Sequence, residues 1–200
     1  MILGINGKIG SGKDTVGKII QHLTSEWEDE EFQDTDMLDV RSNWEIKKFA
    51  GKLKQIASIL TGIPVENFED QEFKKLDMSP EWGMTYREFL QKLGTEAMRE
   101  GLHTNVWVNA LMADYITESF RSDKKTNWII TDVRFPNEME AIVEKGGITI
   151  RVVRPGTVVG EHPSETSLYS AEFDYTIVND STIEELVKKV RDILVLEKLI

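Results

Sequence analysis

Apolar positions come in short clusters whose spacing alternates along the chain. Ile2-Leu3-Gly4-Ile5 is an apolar run that stops at Asn6-Gly7, as a strand buried on both faces does. A glycine-rich loop follows. Val16, Ile19, Ile20 and Leu23 then recur at helical spacing. Residues 45–50 read as a second strand, and Leu53, Ile56, Ala57 and Leu60 as a helix ending near Gly62 and Pro64. Residues 65–83 read as irregular, with Pro80 and Gly83 as breakers. Thr85 caps a helix that runs to about Glu100, with Glu88 completing a capping box and Phe89, Leu90, Leu93 and Ala97 as its apolar face. Another helix spans about Val106 to Phe120.

Trp128-Ile129-Ile130-Thr131 is a strand ending on Asp132. A helix over Glu138–Lys145 closes at Gly146-Gly147, and Ile148–Val153 is the next strand. Arg154 to Ala171 contains Pro155, Gly156, Gly160 and Pro163, which predicts a loop or lid without regular helix. Tyr175–Val178 is the last strand. Ser181, with Glu184 three residues on, predicts the cap of a final helix. Strands alternating with helices predict an α/β fold with a parallel sheet covered on both faces. There are no repeats and no convincing boundary, so one domain over residues 1–200 is expected.

Composition narrows the function. The chain has 200 residues, 40% of them hydrophobic and 30% charged, as in a globular protein. A net charge of −11 argues against a general nucleic-acid binder but not against a small anionic substrate held in a basic pocket. The absence of cysteine excludes disulfides, cysteine catalysis and thiolate metal sites. His22, His103 and His162 lie too far apart for a local metal motif. The opening residues lack the apolar core of a secretory leader, and no apolar run approaches the ~20 residues of a membrane span. A cytoplasmic protein with no membrane partner is expected. The acid-rich stretch Ser25–Asp39 reads as a solvated helix end and loop.

The chemistry concentrates in Gly7-Lys8-Ile9-Gly10-Ser11-Gly12-Lys13, which fits G-x-x-x-x-G-K between an apolar strand and an amphipathic helix. Glycines at Gly7, Gly10 and Gly12 let backbone N–H groups converge on phosphate oxygens, and Lys13 reaches the β- and γ-phosphates. After Lys13 comes Asp14, not the usual Ser or Thr, and Thr15 follows. In G-K-x-T the chain resembles nucleoside monophosphate kinases, and that resemblance implies Thr15 on phosphate with Mg²⁺ bound mainly through waters. Asp14 either faces the acceptor phosphate, helps organise the metal, or is an acid favoured by the helix dipole. Asp132 at a strand end is placed to hold Mg²⁺ or its waters. Arg134 is placed to neutralise the transferring phosphoryl group. Arg87, Gln91 and Thr95 are spaced i, i+4, i+8 on one helical stripe, suited to a phosphate, a base edge and a sugar, or else an ordinary solvated face. Gly94 within that helix points to close approach of a ligand or another backbone. Trp107 by its chemistry alone reads as core.

Taken in order, GSGKDT, REFLQKLGTE, NVWV, ITDVR, VVRPG, H-x-S-E and VNDSTIEEL make the chain resemble the deoxynucleoside monophosphate kinases of tailed bacteriophages and prophages, from Met1 to about Val187. The resemblance implies a P-loop kinase fold: a five-stranded parallel sheet with its loop strand central, a helical acceptor-binding region at about 62–120 and a short lid at about 154–171. It implies transfer of the γ-phosphoryl group of Mg·ATP to a deoxynucleoside monophosphate. By position it places Gly12, Lys13, Asp14 and Thr15 in the phosphate loop, and Asp132 and Arg134 in the D-x-R. It places Arg87, Gln91, Gly94, Thr95 and Trp107 near the acceptor, and Arg154, His162 and Glu165 in the lid. Asn179 and Asp180 fall in the turn where adenine lies. Gly10 departs from the arginine some members carry, so Lys8 or a lid arginine would supply that contact. Within the lid, Arg154 is expected to reach the ATP phosphates or stack on adenine, with His162 and Glu165 orienting the closed loop. The alternative is a solvated connection. Small-molecule nucleotides are the expected partners, with a homodimer left open. Two rival readings remain: a P-loop kinase acting on a phosphorylated isoprenoid precursor or dephospho-coenzyme A, and a nucleotide-dependent switch.

Overall fold

The computed structural model describes residues 1–25, 31–32, 42–121, 127–157 and 162–200. The acid-rich stretch Ser25–Asp39 falls almost wholly outside the described residues, as does Gly160. The chain divides into two compact units. One holds residues 1–48 and 117–200, the other Phe49–Ile116.

The first unit carries the sheet: β1 (Ile2–Gly7), β2 (Trp44–Lys47), β3 (Asn127–Ile130), β4 (Ile148–Val153) and β5 (Tyr175–Val178). Their order is β2-β3-β1-β4-β5, and every pairing is parallel. β1 is central, with Ile2 opposite Trp128 and Ile5 opposite Ile150. Ile2, Leu3 and Ile5 have no exposed surface, which is why this strand reads as a continuous apolar run. Alternate residues serve opposite faces. Leu3, Ile5, Ile129, Ile150 and Val152 pack under α1 (Lys13–Leu23) and α7 (Ile183–Leu196), against Val16, Ile19, Ile20, Leu186 and Val190. On the other face Gly4 lies under Ile142 of α5 (Pro136–Glu144). A Cβ on Gly4 would come within 2.5 Å of Ile142 Cδ1.

Two local expectations shift. The final helix is capped by Thr182, whose hydroxyl accepts from the Glu185 N–H, and not by Ser181. The segment expected to lack helix contains a short one, α6 (Pro163–Thr166), with Pro163 at its first position, where the missing N–H is harmless.

The second unit begins at Phe49. It contains α2 (Ala50–Thr61), ended by the left-handed Gly62, then two 3₁₀ turns at Val65–Phe68 and Phe73–Lys75 where irregular chain was expected. Phe68, fully buried, joins Ala57, Met78 and Phe89 in a separate core. α3 (Tyr86–Gln91) opens with the expected Thr85–Glu88 capping box, but from Lys92 to Glu100 the chain winds as a π-helix. This corrects the expectation of one α-helix to Glu100. The wider i→i+5 winding turns the apolar face: Ala97 is exposed, and Arg99 is buried in its place with Nη1 donating to the Thr104 carbonyl at 3.3 Å. α4 (Val106–Arg121) follows.

Two glycines should respond in opposite directions. Gly17 of α1 lies so close to the sheet that a Cβ would stand 2.6 Å from Thr131 Cγ2. Gly51, near the start of α2, has nothing within 4 Å of that position. Gly17→Val should lower unfolding stability by about 1–3 kcal/mol through overpacking. Gly51→Ala should raise it by about 0.5–1 kcal/mol. Urea unfolding of both variants checks the pair.

Candidate active site

The chain leaves central β1 at Gly7 and enters α1 at Lys13, and the five residues between fold back on themselves. Gly10 and Gly12 have φ of 77° and 92°, a left-handed conformation that glycine adopts without a steric penalty. A Cβ on Gly7 would lie 2.3 Å from Ser11 Oγ, so the loop closes only over a residue with no side chain. The Ser11 N–H donates to the Lys8 carbonyl at 3.1 Å, and the Val16 N–H to the Gly12 carbonyl at 2.9 Å, starting the helix. The Ser11 hydroxyl is buried and has no hydrogen-bond partner among the described residues. The first N–H groups of α1 lack helical acceptors and carry the positive end of its dipole. Strand, loop and helix together form a surface of donors suited to phosphate.

Around the loop the charges interlock. Lys13 Nζ stands 3.0 Å from Asp14 Oδ2, Lys48 Nζ is 3.7 Å from Asp14 Oδ1, and the Thr131 hydroxyl donates to that same oxygen at 2.9 Å. Burial works to raise the Asp14 carboxyl, but Lys13 beside it, then Lys48 and Thr131, hold it below the ordinary aspartate value. Neither Lys48 nor Thr131 was singled out in the sequence. Thr131 precedes Asp132, and that adjacency was its only signal.

Asp132 lies two residues past the end of β3 and is buried. Two residues on, Arg134 is held at both ends. Its backbone N–H donates to Glu138 Oε2 at 2.7 Å, and the Phe135 N–H donates to the same oxygen at 3.1 Å. Its guanidinium pairs with Glu165 and donates to the Ser164 carbonyl at 3.3 Å. Glu138, 2% exposed, was missed as a site residue, although an acid two residues after Pro136 at a helix start signals such a cap. His162 caps α6: its Nδ1 accepts from the Ser164 N–H at 3.2 Å. Asn6, Lys8, Arg134, Arg151, Ser164 and Glu165 are among the residues lining a cavity of about 390 Å³ beside the loop. Arg151 was also missed. It donates to the Leu168 carbonyl and lies 4.3 Å over the Phe173 ring.

Beyond β5 stands Asn179. Its Nδ2 donates to the Ser11 carbonyl at 2.9 Å. Asp180 pairs with Lys189 at 3.1 Å. Arg154, just past β4, is exposed. Thr15 lies in the first turn of α1, partly buried.

In the second unit, Arg87, Gln91 and Thr95 are all partly exposed, and Arg87 donates to Gln71 Oε1 at 3.0 Å. Gly94 and Trp107 answer to each other. The buried Trp107 indole N–H donates to the Gly94 carbonyl at 2.9 Å, and a Cβ on Gly94 would meet Leu53 Cδ2 at 2.9 Å. The Leu53 side chain thus makes a close approach to Gly94.

Comparison with known proteins places this site in context. Residues 49–190 match the family described as deoxynucleotide monophosphate kinase. That stretch excludes Gly7–Lys13, so the match and the phosphate loop are independent observations. A protein of Acanthamoeba polyphaga mimivirus, named as a candidate deoxynucleotide monophosphate kinase, is 30% identical over 95% of this chain and 94% of its own. The deoxynucleotide monophosphate kinase of Enterobacteria phage T4 is 31% identical over 65% of this chain, which spans about half (48%) of the phage protein. The deoxynucleoside-5'-monophosphate kinase of Escherichia phage T5 is 23% identical over 90% of this chain and 89% of its own.

The charge interlock predicts a titration. Asp14 lies below its ordinary value chiefly because Lys13 opposes the effect of burial, so Lys13→Met should move the Asp14 midpoint upward. Carboxyl-carbon NMR across pH 2–7 reads it directly. An unmoved midpoint would assign the shift to Lys48 and Thr131 instead.

Proposed function

The chain belongs to the deoxynucleotide monophosphate kinases, and on that premise we propose that it transfers the γ-phosphoryl group of ATP to a deoxynucleoside monophosphate, giving the diphosphate and ADP. The observation that carries the reading is the loop from Gly7 to Lys13, closed by two left-handed glycines at the end of a central buried strand. Phosphoryl transfer asks a protein mainly to position and neutralise, because the acceptor phosphate is already an anion and needs no general base. The family match favours this reading over an isoprenoid or coenzyme A precursor kinase, and over a switch.

Lys13 is the cation for the β- and γ-phosphates, exchanging its pairing with Asp14 for phosphate oxygens. Magnesium, when bound, spreads and neutralises the charge that develops on the phosphates. The oxygens present suit it: the Asp132 carboxylate, the Thr15 hydroxyl and Asp14 nearby. This metal keeps its waters and takes one or two carboxylates plus phosphates, and no cluster of three acidic, histidine or cysteine ligands gathers among the described residues. Arg134, held by Glu138 and Glu165, faces the cavity beside the loop and supplies charge to the phosphoryl group. Arg154 opens the lid segment and reaches the donor when that segment closes, with His162 and Glu165 setting its geometry. Arg87, Gln91 and Thr95 contact the acceptor. Trp107 and Gly94 support that helix through their mutual hydrogen bond. Asp180 lies at the adenine side. No helix among the described residues is long and apolar enough to cross a membrane, and a cytosolic supply of ATP fits the reaction.

ADP formation from ATP with each common deoxynucleoside and ribonucleoside monophosphate tests the proposal. Slow ADP release that no monophosphate accelerates would sink it. Lys13→Ala should cut turnover by about 10²–10³ or more without changing the melting temperature. Asp132→Asn should lower turnover more than ATP affinity, and excess Mg²⁺ should restore part of it.

Arg87→Ala should raise KM for the monophosphate by roughly tenfold to a hundredfold, the size of a lost charge-assisted contact, while sparing KM for ATP. A change confined to ATP would place Arg87 on the donor side.

A further inference from the structure

Asn179 is anchored before it touches anything catalytic. Its backbone N–H donates to the Val153 carbonyl at 2.7 Å, extending the β4–β5 pairing one residue past the strand. The preceding carbonyl, Val178, accepts from Lys189 Nζ at 2.7 Å, and Lys189 also pairs with Asp180. From this fixed base the Asn179 amide reaches across to the phosphate loop, 168 residues away in sequence, and donates to the Ser11 carbonyl at 2.9 Å. It also fills the space beside Gly12. A Cβ on Gly12 would lie 2.4 Å from Asn179 Nδ2.

The consequence follows from the geometry of one peptide bond. In a trans peptide the carbonyl of one residue and the N–H of the next point in opposite directions. Holding the Ser11 carbonyl against Asn179 leaves the Gly12 N–H turned away from Asn179, as a donor for an anion seated in the loop. With φ of 92° and no side chain, Gly12 is a position where the peptide on either side can rotate readily unless something holds it.

We propose that Asn179 is a positioning residue that sets the orientation of the Ser11–Gly12 peptide in the phosphate loop, so that its contribution is to polyphosphate binding and not to recognition of the base. The inference rests on the loop being the donor phosphate site. The Asn179 amide holds a loop carbonyl in place through its hydrogen bond. Ser11 Oγ cannot do this work, because it is buried against Gly7.

Inorganic tripolyphosphate, which has no base or sugar, separates the two roles. Mg·ATP and Mg·tripolyphosphate binding are measured by calorimetry for the wild type, Asn179→Ala and Asn179→Asp, alongside melting temperatures and steady-state kinetics. The brace predicts that Asn179→Ala weakens both ligands alike, roughly three- to tenfold, the loss of one neutral hydrogen bond. Asn179→Asp keeps the size but cannot donate, and sets a carboxylate against the carbonyl and the phosphates, so it should weaken both further. KM for the monophosphate should not move. Weaker ATP binding with unchanged tripolyphosphate binding would make Asn179 a base contact and overturn the proposal. Unchanged binding of both ligands, whatever the melting temperature does, would overturn it as well. A wild type that binds neither ligand removes the phosphate loop itself, and the brace with it. Should Asn179→Ala fail to fold, the comparison rests on Asn179→Asp, which preserves the volume beside Gly12.

Discussion

All five strands run in one direction, and that constraint decides where chemistry can sit. A parallel sheet needs its helices on both faces, so its central strand has no solvent face on which to carry a reactive group. Ile2, Leu3 and Ile5 are fully buried, and polar residues begin only where β1 runs out, at Asn6. The same edge receives Asp132 beyond β3, Arg154 beyond β4 and Asn179 beyond β5. Ligands in such folds bind outside the carboxyl ends of the strands, because loops from several strands converge there and nowhere else. Glycines make the close packing beneath this edge possible. Gly4 admits Ile142 over β1, and Gly17 lets α1 settle onto Thr131 and Ile129.

An acidic protein proposed to bind polyphosphate must hold its cations locally. Here three of the cations near the loop are placed by specific partners. Lys13 and Lys48 meet at Asp14, and Arg134 is gripped through its backbone by Glu138 and through its side chain by Glu165. These contacts are short, whereas the surplus of acid elsewhere acts over distances at which salt screens it. Asp14 is thus more than an acid favoured by a helix dipole. It receives two ammonium groups and a hydroxyl, and keeps the lysines beside the loop.

Local pattern was a good guide wherever a structural element is decided by its own residues. The strand at Ile148–Val153, the strand at Tyr175–Val178, the capping box at Thr85 and the turn at Gly62 were all readable, because alternation, capping and left-handed glycines are properties of a few neighbouring positions. Reading failed where two local solutions compete. Ser181–Glu184 and Thr182–Glu185 are equivalent capping patterns one residue apart, and the folded chain uses the second. The π winding at Lys92–Glu100 has no comparable local mark, and it carried Arg99 inward where Ala97 was expected.

The phosphate loop, the parallel α/β order and the polar residues of the strand ends were determined by the sequence alone, since each rests on residue types at fixed short spacings. What only the tertiary structure decided is which side chains hold those residues in position. Asn179 to Ser11, Thr131 to Asp14 and Arg134 to Glu165 join residues 168, 117 and 31 positions apart. Trp107 and Gly94 are coupled across two differently wound helices. A hydrogen bond between distant residues leaves no periodic trace, because it depends on how strands and helices are brought together and not on what lies next to either partner.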